Sequence, residues 1–110
     1  MNAPVLIAWT TTGKRADAEA LAAGAVKANL AACAQVDGPI VSHYRHSGRL
    51  ERAKEYRICF KLLPARSKAL EAWILKNHPY AIPEWIAVQA DRVSGKYLSW
   101  AKRNPINPPF

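Results

Sequence analysis

Cysteine is scarce in this chain of 110 residues: there are two, Cys33 and Cys59, in neither a CxxC pair nor zinc-site spacing. That excludes a fold stapled by several disulfides or by a cysteine-rich zinc site. Both thiols lie in apolar runs, "LAACAQV" and "YRICFKLL", which reads as buried free thiols in a reducing compartment. No apolar run reaches the roughly 18 uncharged residues of a membrane helix, and "MNAPVLIAW" has no basic segment ahead of its apolar stretch. A cytoplasmic, non-membrane protein is therefore expected. Spacing signatures of catalysis are missing as well. There is no HExxH, no GxGxxG and no Ser-His-Asp pattern, and "TTTGKRAD" holds a Gly-Lys pair without the glycine spacing of a phosphate loop. An enzyme is not expected.

Acidic residues are few, eight against sixteen Lys and Arg, which leaves a net charge of +8. Eight of the sixteen (Arg45, Arg49, Arg52, Lys54, Arg57, Lys61, Arg66 and Lys68) fall within 24 residues, opposed only by Glu51 and Glu55. Such a cluster either blunts an exposed strand edge against aggregation or forms an anion-binding surface. Nucleic acid is not the expected partner, because no recognition helix or aromatic RNA-binding signature accompanies the charge.

Half of the residues are apolar, enough for one compact domain spanning 1–110, with a core over 5–102 and an extended Pro-rich tail over 103–110. "PVLIAWT", Pro4 to Thr10, reads as a buried strand. Over 15–32, Ala18, Leu21, Ala22, Ala25, Val26 and Leu30 recur at helical spacing, with Asp17 and Glu19 in the first turn and Lys27 near the end. Gly24 costs such a helix about 1 kcal/mol relative to alanine, so it marks a close backbone contact. Residues 32–44 and 50–64 read as two long strands joined at "RHSGRL", the first broken at "DGP" by a bulge rather than a chain reversal. In the second, Tyr56, Ile58, Phe60 and Leu62 share a face. "ARSKALEAWILKNH" reads as a helix capped at Ser67 and stopped at Pro79, "PEWIAVQAD" as a strand opening at Pro83, and "SGKYLSWAKR" as a short amphipathic helix.

The order is β-α-β-β-α-β plus a terminal helix, an α+β ferredoxin-like arrangement with an antiparallel sheet and both crossover helices on one face. The other face is left open. If that face carries Tyr56, Ile58 and Phe60, and the hairpin is longer than so small a domain needs, self-association follows.

Three stretches then resemble one family. "NLAACAQV", "HYRHSGRLERAKEYRICFKL" and "HPYAIPEWIAV", followed by "YLSW", are similar in order and spacing to the CutA divalent-cation-tolerance proteins. The resemblance implies a homotrimer whose long strands pair between subunits, a role in tolerance to divalent metals such as copper, and a likeness to the PII signalling proteins, which bind small ligands between subunits. It also implies a copper site made of a cysteine at the end of the first strand and two successive histidines. Trp9 and Asn77 stand at two of those positions and His78 at the third. The expected partners are thus other copies of the chain and either a divalent ion or a small anion. The expected location is an inter-subunit cleft lined by Tyr44, Lys61, His78, Tyr80, Glu84 and Trp100. "NHPYAIPEW" itself reads as a proline-braced turn, in which Glu84 calls for a basic partner such as Lys61 or an arginine of a neighbouring subunit.

Overall fold

A computed structural model describes residues 3–103. Four strands and three helices follow one another as β1 (Leu6–Thr12), α1 (Arg15–Lys27), β2 (Cys33–His46), β3 (Arg49–Leu62), α2 (Ser67–Asn77), β4 (Ile86–Gln89) and α3 (Gly95–Lys102). All pairings in the sheet are antiparallel, in the order β2-β3-β1-β4. From residue 104 on, the expected tail lies outside the described residues. No helix among them is long and apolar enough to cross a membrane.

The core lies between the sheet and the α1/α2 layer. Ala18, Leu21, Ala22 and Ala25 of α1 and Leu70 and Ile74 of α2 pack with Ile58, Phe60 and Leu62 of β3. This corrects one expectation: Ile58, Phe60 and Leu62 do share a face, but it is the covered one, where each is at most 1% exposed. Their partners across the ladder, Thr10, Ala8 and Leu6 of β1, lie on that same face. The open face instead carries Ile7 and Trp9 of β1, Ile86 and Val88 of β4, and Arg57, Cys59 and Lys61 of β3. α3 lies at one end of it, where Tyr97 and Trp100 bound a cavity with Ile7, Cys33 and Lys61.

Gly24 does mark a close approach: a Cβ there would meet the Trp73 indole at 2.7 Å. The "DGP" break is a bulge, with the β2/β3 register shifting between Asp37 and Ile40 and Gly38 at φ 141°. "SG" closes the hairpin with Ser47 and Gly48 both at positive φ, which matches the right-handed twist of the strands it joins. Several boundaries differ from expectation: α1, for one, ends at Lys27 rather than near residue 32, with Asn29 at φ 61°. β1 runs on to Thr12 because Thr10 and Thr12 are buried and hydrogen-bonded. Ser67 is the first residue of α2 rather than its cap, a single 3-10 turn over Pro64–Arg66 leading in. β4 opens at Ile86 rather than Pro83, since Pro83 to Trp85 form a connection in which the Glu84 carbonyl accepts from the Thr10 hydroxyl at 2.6 Å.

Candidate functional site

The turn after α2 builds inward from His78. The following proline holds His78 in extended backbone, ending the helix, and its ring turns under the sheet end, 9% exposed. Nε2–H donates to the Thr11 carbonyl at 2.9 Å, while Nδ1 accepts from the Tyr80 backbone N–H at 3.0 Å. Both ring nitrogens are thus committed to backbone groups, which fixes a neutral tautomer. Burial is the main cause of a pKa lowered below the usual 6.5, with the Thr11 hydrogen bond and the charges of Asp17 and Glu55 opposing it.

Tyr80 stacks at a tilt on His78, ring centroids 4.9 Å apart, and donates its hydroxyl to Glu55 Oε2 at 2.9 Å. Burial first, then the Glu55 hydrogen bond and charge, push the phenol up to about 12, so it remains a hydrogen-bond donor throughout the physiological range. Glu55 is itself 9% exposed. In the sequence Glu55 stands only as a counter-charge to the basic cluster, because no local pattern links it to a tyrosine 25 residues away. Tyr44 lies further along the same hairpin face as Glu55, close enough to contribute to the Tyr80 shift.

The other candidates fall elsewhere in the protomer. Lys61 and Trp100 bound the cavity at α3, about 470 Å³, together with Cys33, Gln35, Arg92 and Tyr97. Lys61 donates to the Gln35 amide oxygen rather than to Glu84. Trp100 stacks on Tyr97, centroids 5.3 Å apart, and the Tyr97 phenol is raised, first by burial and then by the neighbouring Cys33 thiol. Both cysteines are free and half-buried. Glu84 is exposed on the Arg57 side of the sheet, where its charge adds a little to the main hold on Arg57, a bidentate pair with Asp37 at 3.0 and 3.4 Å. Within one chain, then, His78, Tyr80, Glu55 and Tyr44 form one group, Lys61 and Trp100 a second, and Glu84 stands apart.

These residues do not fit a copper site at His78. Its nitrogens hold the Thr11 carbonyl and the Tyr80 amide, and the Asn77 amide donates to the Trp73 carbonyl at 2.8 Å. Trp9, on the open face opposite Cys59 and Ile86, has no lone pair for a metal. Among the described residues no group of three or more His, Cys, Asp or Glu side chains could hold an ion.

Comparison with known proteins places the chain among relatives of one kind. The family model described as CutA1 divalent ion tolerance protein matches residues 6–104. The divalent-cation tolerance protein CutA of Escherichia coli O139:H28 is 30% identical over 99 residues, 90% of this chain and 88% of the relative. The chloroplastic protein CutA of Arabidopsis thaliana is 30% identical over 104 residues; the chain spans 94% of its own length but 57% of that relative's. The crystal structure of CutA from Xylella fastidiosa superposes with a TM-score of 0.85 at 31% identity, covering 88% of this chain and 93% of that one.

Proposed function

Since this chain belongs to the CutA1 divalent ion tolerance family, we propose that it serves divalent-cation tolerance, copper included, as a non-enzymatic cytoplasmic module that works as a homotrimer. The observation that carries this reading is the open sheet face. Ile86 and Val88, 54% and 42% exposed, stand beside Ile7 and Trp9 and make an apolar strip, at odds with a chain that works alone. At about 25 cal/mol per Å², covering it with the same strip of other copies stabilises a closed assembly. The long hairpin adds ladder edges free to pair with a neighbouring subunit. Light scattering at micromolar concentration is expected to give a mass near three times the 12.2 kDa protomer; a stable monomer overturns the reading. In such a trimer the group around His78 braces the turn, and the metal response does not run through a copper ion on His78 of a single protomer.

A second reading, a sensor of a small anion in the manner of the PII proteins, is favoured by the cavity at α3. Lys61 and Arg92 place positive charge beside the apolar and aromatic wall of Ile7, Val93, Tyr97 and Trp100, a lining that suits an organic carboxylate or phosphate with an apolar body. Such a ligand is expected to bind saturably and to lose at least about tenfold in affinity with Lys61→Ala; equal binding by the variant removes the reading.

A further inference from the structure

At the end of the molecule where α1 and α3 finish and α2 begins, Lys27, Arg66, Lys102 and Arg103 converge on one cavity of about 380 Å³, floored in part by Leu30 and Leu63. Among the described residues no carboxylate lines it. None of the four cations has an ion pair or a side-chain hydrogen bond among the described residues, where the one salt bridge joins Arg57 to Asp37. Helix ends explain part of the cluster: Lys27 and Lys102 sit in the last turns of α1 and α3, and Arg103 follows α3. Two helix C-termini, however, supply only about half a negative charge each, against four positive ones. Arg66 moreover stands at the wrong end of its helix. It occupies the N-cap of α2, which has no acid in its first turn and no side-chain cap, so a cation is set against the positive end of the dipole.

We propose that this cavity binds a compact anion carrying two or more phosphoryl groups, inorganic triphosphate being the simplest probe. A monoanion leaves most of the charge uncompensated, whereas a chain of phosphoryl groups offers several acceptors to two guanidinium forks and two ammonium groups. Among the described residues no aromatic ring lines the walls to stack on a nucleobase. The cavity shares no lining residue with the one at Lys61, so it is tested independently of the cleft ligand.

Calorimetric titration of the full chain with inorganic triphosphate tests this. Wild type is expected to bind one per chain. The double variant Arg66→Gln, Arg103→Gln should weaken binding at least about tenfold. The double variant Arg49→Gln, Arg52→Gln removes the same charge from the exposed hairpin and should change it less than about twofold. An unchanged unfolding midpoint in the cavity variant shows that the fold is kept. Absence of saturable binding, or equal losses in the cavity and hairpin variants, overturns the proposal, the latter by showing only general attraction to a basic protein. Adenosine triphosphate binding more than about tenfold tighter than the inorganic probe overturns the assignment to phosphoryl groups alone.

Discussion

Replacing Gly38 by alanine is expected to destabilise the fold by about 2–4 kcal/mol. Gly38 sits at φ 141°, a region that side-chain-bearing residues scarcely occupy. A Cβ there would lie 2.8 Å from the Tyr56 ring, 3.0 Å from the Glu55 carbonyl and 3.1 Å from the Tyr56 Cα. The last two are backbone atoms of the paired strand and cannot turn aside without breaking the ladder. The control is Gly48→Ala at the hairpin tip, also at positive φ, at 79°, but with nothing within 4 Å of the added Cβ. It should cost only about 1 kcal/mol. Urea unfolding of both variants at one fixed protein concentration measures the difference. Equal midpoints would mean that the bulge can relax around a side chain and does not set the hairpin's course.

His78→Ala should cost about 1–3 kcal/mol, because the Thr11 carbonyl and the Tyr80 amide each lose their partner beneath the sheet. It should also change how stability depends on pH. The folded-state pKa lies below the unfolded 6.5, so as pH falls below that value the unfolded chain takes up more protons than the folded one. The stability associated with neutral His78 is therefore complete above pH 6.5 and is lost as pH drops through the depressed folded value. In the variant this component of the acid-side slope disappears. Copper and zinc titrations of the two proteins should coincide. An unchanged slope, or a metal affinity at least about tenfold weaker in the variant, would return His78 to the list of ligands.

How much of this could be read beforehand differs from element to element. α1 was legible because its small apolar residues recur on one stripe, and Gly24 because an alanine-rich helix has little other reason to break its own propensity. "DGP" was legible as a bulge because two residues unsuited to a ladder sit inside an otherwise strand-forming run. The facing of β3 was not legible. A period of two tells which residues go together, but only the register with β1 decides which side of the sheet they take. "NHPYAIPEW" was legible as a braced turn from its two prolines. Its internal partners were not, since Thr11 and Glu55 are 67 and 25 residues from the side chains they meet. Glu84 was expected to pair with Lys61 or with an arginine of a neighbouring subunit; within one chain it lies in the connection before β4, while Lys61 turns to Gln35.

The outer part of the hairpin, from Val41 to Arg52, keeps its shape with almost no buried side chain: of those residues only Ser42 is as much as half-buried, and Leu50 is 79% exposed. Main-chain hydrogen bonds hold that arm, and they are indifferent to which residue supplies them. Within one protomer, mutation can therefore rewrite its charge and polarity, Tyr44 excepted, provided strand-forming residues and the Ser47-Gly48 turn remain and the edges proposed to meet a neighbouring subunit still pair. The arm is the part of this protein best placed to acquire new surface chemistry without a penalty in the core.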